Sequence, residues 1–184
     1  MKKVILSWVI AICSYGSLPA EEISKEVQAK EFIEYTNKKM PSCGILKIAQ
    51  DGTLYLKLPD TYAKQLIPHL KLAMPEDEAL FLMTVPEYDK DIYGTHIKVI
   101  DPSEMTGSYQ ARDQGRKACF KVTGLYYFDP EKGPAERVYY LTVKSKDLQK
   151  IRKSYGLSSL YHDEEFRMII GVINRPDWEE DYFW

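Results

Sequence analysis

Cysteine is scarce: three residues in a chain of 184 are too few for a disulfide scaffold or a cysteine-built zinc site. Histidine is equally thin. His69, His96 and His162 show no i,i+4 pair, no His-Glu-x-x-His occurs, and neither Cys43 nor Cys119 lies near a histidine in sequence. That spacing speaks against a zinc enzyme. The chain lacks a glycine-rich phosphate loop, which removes the usual nucleotide-binding fingerprints. It also lacks Gly-x-Ser-x-Gly, which removes the common serine-hydrolase elbow. There is no excess of positive charge: 25 Lys+Arg stand against 27 Asp+Glu, a formal charge of −2. Tight non-specific binding to nucleic acid therefore has no electrostatic basis, and nothing points to DNA. No apolar run reaches the roughly 20 residues that a spanning helix needs.

What is there is an ordinary globular mix, with 45% hydrophobic and 28% charged residues. That excludes wholesale disorder, collagen-like repeats and a coiled-coil rod. Lys2 and Lys3, the ten-residue apolar run Val4 to Cys13, and Gly16, Pro19 and Ala20 read as a secretory signal. The expected cut follows Ala20. It would take the charge from −2 to −4 and leave Cys43 and Cys119 as the cysteines of an exported protein. Those two could join, or stay as buried thiols; their spacing does not decide.

Residues 21–40 read as an amphipathic helix with acids in its first turn. Gly44 to Ala49 and Leu54 to Leu58 read as strands joined by an Asp51-Gly52 hairpin turn. Pro59-Asp60-Thr61 opens a helix to about Leu72. Strands are expected over Ala79 to Val85 and Gly94 to Ile100, and a long polar connection over Asp101 to Gly115. A second set follows: a strand over Lys117 to Phe128 with a break at Gly124, a strand over Arg137 to Val143, a helix over Ser145 to Tyr155 stopped by Gly156, and a strand over Phe166 to Ile173. The acidic, aromatic tail 176–184 is expected to pack, because Trp178, Phe183 and Trp184 are costly to expose together. Strand–strand–helix–strand order in both halves argues for an α+β fold and against a doubly wound parallel sheet.

Alternation places His96 and Lys98 on one face of their strand with Gly94, and Thr95, Ile97 and Val99 on the other. Such a face either lines a cleft or lies open at a sheet edge. In Phe166 to Val172, Arg167 is the lone charge. It is expected beside Ile169 and Gly171, opposite Met168 and Ile170, and either snorkels to water or holds an anion by its fork of donors. His69 reads as structural or surface, and His162 as a solvated loop residue. A Cys119–His96 nucleophile pair is a remote alternative to buried thiols.

Taken together, Gly94-Thr-His-Ile-Lys-Val-Ile100, Phe166-Arg-Met-Ile-Ile-Gly-Val172 and the intervening run VYYLTVKSKDLQKIRKSYGL resemble the two-histidine (2H) phosphoesterase superfamily. The likeness extends over roughly Gly44 to Ile173 and is nearest to the Swiss Army Knife 2H variants. It implies a bilobed fold: two pseudo-repeated antiparallel-sheet lobes with helices around a central cleft, formed by residues 41–175. It implies no cofactor and no metal. It also implies cyclic phosphodiesterase-like chemistry, with a phosphorylated small molecule or RNA end as partner. His96 takes the place of the first catalytic histidine. Lys98 stands where the first motif has Ser or Thr, Arg167 where the second has His, and Ile169 where the second has Ser or Thr. Arginine does not exchange protons near neutrality, but it and Lys98 can hold a phosphoryl anion. The expectation is thus a degenerate site that binds an anionic ligand. The alternatives are an active phosphodiesterase pairing His96 with a non-standard partner such as His162, and a secreted interaction protein with a vestigial cleft.

Overall fold

The computed structural model describes residues 24–84, 94–105, 110–133, 135–161 and 164–175. The signal-like segment 1–20, the tail 176–184 and His162 lie outside the described residues. The architecture is mixed α+β, with two antiparallel sheets and four helices.

In chain order the elements are β1 (Lys25–Glu26), α1 (Lys30–Lys39), β2 (Cys43–Ile48), β3 (Leu54–Lys57), α2 (Thr61–Leu72), α3 (Glu76–Phe81), β4 (Leu82–Met83), β5 (His96–Ile100), a 3-10 turn (Pro102–Glu104), β6 (Lys117–Cys119), β7 (Lys121–Phe128), β8 (Ala135–Lys144), α4 (Lys146–Ser154) and β9 (Phe166–Asn174). One sheet has the order β1-β7-β8-β9-β4 and the other β5-β3-β2-β6.

Both sheets turn one face to a single core. Leu46, Leu56, Ile97 and Val99 come from the four-stranded sheet, and Leu125, Leu141, Met168 and Ile170 from the five-stranded one. The apolar sides of three helices meet them through Phe32 of α1, Leu66 and Leu70 of α2, and Leu148 and Ile151 of α4. Each such side chain contributes about 1.5–3 kcal/mol by leaving water. Since the helices share this core, the opposite face of each sheet is left to other uses. On the far side of the five-stranded sheet a smaller cluster forms from Phe128, Val138, Tyr140 and Val172. The sheets meet where β5, an edge strand, comes within 8 Å of β9 between Cα atoms. That is closer than the roughly 10 Å between sheets packed face to face.

Several elements depart from the sequence reading. The N-terminal helix begins at Lys30, not Glu21, because Lys25 and Glu26 pair instead with Tyr127 and Tyr126 of β7. Strand Ala79 to Val85 is replaced by α3 and the two-residue β4, with Val85 outside the described residues. Pro75 followed by Glu76, Asp77 and Glu78 is a helix start, with acids at the positive end of the dipole. Glu78 is then fixed by β8, accepting from Arg137 Nη1 and from the Tyr139 hydroxyl, each at 2.6 Å. The break in the 117–128 strand falls at Phe120, and β7 runs through Gly124 with a bulge.

Cys43 and Cys119 are direct cross-strand partners on β2 and β6 and form a disulfide, with Cα atoms 4.0 Å apart. The bond ties the short edge strand β6 to an interior strand across 76 residues of sequence. Restricting so long a loop in the unfolded chain stabilises by about 2–4 kcal/mol. The Cys43→Ser/Cys119→Ser variant is therefore expected to lose about 2–4 kcal/mol of unfolding free energy, read from urea melts as a lower midpoint; an unchanged midpoint would show the bond to be energetically idle.

Candidate functional site

The site is built on the open face of the four-stranded sheet. Leu54 and Leu56 of β3 are buried while Tyr55 and Lys57 alternate away from the core. In β5, Ile97 and Val99 are buried while His96 and Lys98 are only partly so. The expected alternation of β5 therefore holds. Register brings Lys57 opposite His96, and Tyr55 opposite Lys98. Lysines 57 and 98 and the imidazole thus form one cluster, with the Tyr55 ring edge-on to His96 at 5.6 Å between centroids.

Counter-charges come from the loops that follow each strand. Lys57 pairs with Asp60, just before α2. Lys98 pairs with Asp101 at 3.2 Å, just before the 3-10 turn. Asp101 caps that turn by accepting from Ser103, and Glu104 reaches back to accept from the Asp101 N–H at 3.0 Å. Glu104 in turn takes a two-pronged contact from Arg152 of α4, at 3.0 and 2.7 Å. Arg152 is 1% exposed, and it also donates to the Val99 and Ser158 carbonyls. A continuous polar chain thus runs from the core to Lys98. Burial tends to raise the Asp101 carboxyl, but the bonds from Ser103 and the Lys98 charge outweigh it and hold the carboxyl below its usual range.

His96 is the most perturbed group here. Burial pushes its pKa down to about 4, the neighbouring Lys98 and Lys57 charges push the same way, and its bond to the Gly94 carbonyl opposes them. The imidazole is consequently neutral near pH 7. Its Nδ1 lies 2.7 Å from the Gly94 oxygen, and a carbonyl only accepts, so Nδ1 carries the proton. Nε2 is then the nitrogen with the lone pair. Gly94 sits at φ +57°, and a Cβ there would meet Lys57 Nζ and Asp60 Oδ1, so glycine is required to present that carbonyl.

Arg167 occupies the open face of the five-stranded sheet, opposite Thr142 of β8. Its guanidinium donates to Glu164 and lies 4.9 Å from the Tyr140 ring centre. Beside it Thr123 donates to Glu165 at 2.6 Å, and Lys144 pairs with Glu165 at 2.9 Å. Arg167 and Ile169 share a face, but Gly171 does not join them. A bulge at Tyr139/Tyr140 shifts the register of β9, and Gly171 packs on Leu82 and Leu70 of the main core. His96 and Lys98 are thus brought together on one sheet while Arg167 stands on the other, along the line where β5 approaches β9.

The remaining candidates resolve as follows. Cys119 is bonded to Cys43, so the Cys119–His96 nucleophile pair does not exist. His69 lies on α2 with its ring against Tyr35 of α1, a packing role. Tyr55 and Lys57 were not singled out in the sequence, although Leu-Tyr-Leu-Lys alternation already placed both on one face of a strand. Among the described residues no group of three or more His, Cys, Asp or Glu is arranged to hold a metal ion, and no helix is long and apolar enough to cross a membrane. Compared with protein-family models, with curated proteins and with solved structures, the chain matches none.

Two outcomes follow from this chemistry. The unfolded chain protonates His96 near pH 6.5 and the folded protein near 4, so the stability this ring contributes is complete above about 6.5 and is lost as pH falls toward 4. Relative to His96→Gln, the wild-type protein is expected to lose roughly 1–3 kcal/mol across that window, read from urea melts at several pH values. Equal losses in both proteins would mean that the ring is protonated normally. Separately, Glu104→Gln leaves the buried Arg152 charge uncompensated and is expected to cost about 3–5 kcal/mol. Asp101→Asn, nearer solvent, is expected to cost about 1 kcal/mol; a reversed order would dissociate the buried pair from the stability of this region.

Proposed function

We propose that this chain is an exported 2H-phosphoesterase-like protein that binds a phosphorylated or otherwise anionic small molecule at the His96 end of a cleft between two lobes, without the acid–base turnover of two paired histidines. The observation that carries this reading is the partly buried cluster of Lys57, Lys98 and a neutral His96 on the sheet face turned away from the core. Two ammonium groups supply attraction for an anion, and the neutral imidazole, its Nδ1 proton committed to the Gly94 carbonyl, offers Nε2 as an acceptor to a hydroxyl of the ligand. Arg167 adds a further cation on the neighbouring sheet, held by Glu164. Export is supported by the basic start and short apolar run of the N-terminus, and the disulfide fits an oxidising compartment. The part of the expected architecture that supports this reading is the mixed α+β fold with two antiparallel sheets, which approach each other at β5 and β9.

One observation favours a second reading. The proton on His96 Nδ1 is fixed by the Gly94 carbonyl, so Nε2 has the lone pair that a general base needs. Under that reading the protein opens 2′,3′-cyclic phosphodiesters, with His96 as base and an acid yet to be assigned.

The deciding experiment uses the mature protein with its disulfide formed, incubated with 2′,3′-cyclic nucleotides and with orthophosphate. Binding without turnover is expected, weakened about tenfold in Lys57→Gln/Lys98→Gln, which corresponds to about 1.4 kcal/mol. Turnover that disappears in His96→Ala would replace this reading with the enzymatic one. Neither binding nor turnover, in a folded protein, would leave the cleft vestigial.

A further inference from the structure

The basic character of this sheet does not stop at His96. Lys117 of β6, Ile45 of β2, Lys57 of β3 and His96 of β5 stand opposite one another in a single cross-strand row. Lys47, Tyr55 and Lys98 form the adjacent row. No acid occupies either row, although the chain as a whole is net negative. Protection of an exposed edge explains a lysine on β6. It does not explain Lys47 and Lys57, which lie on the interior strands β2 and β3. The compensation is also uneven. Lys57 and Lys98 have Asp60 and Asp101. Lys47 and Lys117 are exposed and have no acidic partner among the described residues. The uncompensated charge therefore lies away from His96, toward the edge that the disulfide holds. With strands about 4.8 Å apart, β5 and β6 are separated by about 14 Å. A single phosphate beside His96 does not span that distance.

Resting on the anion-binding reading above, we propose that this face takes a linear chain of phosphoryl groups, laid across the strands from His96 on β5 to Lys117 on β6. Ile45, 41% exposed, stands between Lys117 and Lys57, and Tyr55 between Lys47 and Lys98, so the uncharged positions alternate with lysines along the path.

The test compares long-chain inorganic polyphosphate with orthophosphate on the mature, disulfide-bonded protein. Lys47→Gln/Lys117→Gln is expected to weaken polyphosphate binding about tenfold or more and to flatten its salt dependence, while orthophosphate binding is unchanged. Lys47→Arg/Lys117→Arg should restore the affinity. Lys150→Gln/Lys153→Gln, an equal charge change on exposed positions of α4, should leave both probes unaffected. If the Lys47/Lys117 variant binds polyphosphate like wild type while Lys57→Gln/Lys98→Gln does not, the extended site is overturned and the His96-end site stands. An equal loss in the α4 control would overturn it too, because any surface charge would then serve. Failure of the wild-type protein to bind either probe would overturn both.

Discussion

A buried guanidinium organises the candidate site from behind. Arg152 is nearly inaccessible, yet it bonds the Val99 carbonyl on β5, the Ser158 carbonyl after α4 and both oxygens of Glu104. An unpaired charge in that position would cost several kcal/mol, so its partners are forced into place. Glu104 cannot satisfy Arg152 without the 3-10 turn, and the turn is closed by Asp101, which also receives Lys98. The end of β5, the start of the following connection and the helix α4 are thus bound into one arrangement by a single charge. Placement of Lys98 on the open face is a consequence of satisfying the core.

The division between faces follows from the same economy of packing. Three helices and both sheets share one core, so each sheet has one face that no helix covers among the described residues. On the five-stranded sheet that face closes partly on itself with Tyr126, Tyr140 and Ile169 around a second apolar cluster, and it carries charges of both signs, among them the pairs Arg167–Glu164 and Lys144–Glu165. On the four-stranded sheet the open face has no such cluster among the described residues and its strand-borne charges are all basic. The contrast between a face of mixed charge with its own apolar cluster and a face whose strand-borne charges are of one sign distinguishes the two sheets.

Most of the regular structure was legible because its signals are local. The hairpin at Asp51-Gly52, helix Thr61–Leu72 and strand Phe166–Asn174 follow from turn residues and from periods of 2 and 3.6. What failed depended on distant partners. Lys25 and Glu26 look helical by composition but are captured by β7, about a hundred residues away in sequence. Residues 79–81 look like strand because Ala-Leu-Phe-Leu-Met is apolar, yet Glu78 ties them as helix to Arg137 and Tyr139. Face assignments held for His96, Lys98 and Arg167 and broke at Gly171, where a bulge reverses the alternation. The Cys43–Cys119 pairing and the cross-strand lysine rows needed register, which alternation within one strand does not contain.

The cluster also carries its own counter-ions. Lys57 and Lys98, neighbours across two strands, each pair with an aspartate three residues later. The two pairs are not equivalent. Asp60 is 72% exposed, so its pair is worth about 1 kcal/mol at most and an incoming anion can displace it. Asp101 is only 22% exposed and is also fixed by the turn that satisfies Arg152, so it stays. Under the proposed reading, an anion arriving at His96 meets two lysines that already have carboxylate partners, one carboxylate exposed and one held by the turn. Part of the positive charge beside His96 is therefore already compensated within the protein. On the same reading, attraction for a longer anion grows with Lys47 on the interior strand β2 and Lys117 on the edge strand β6, neither of which has an acidic partner among the described residues. The two aspartates, under that proposal, compete with a small anion more effectively than with one long enough to reach Lys47 and Lys117.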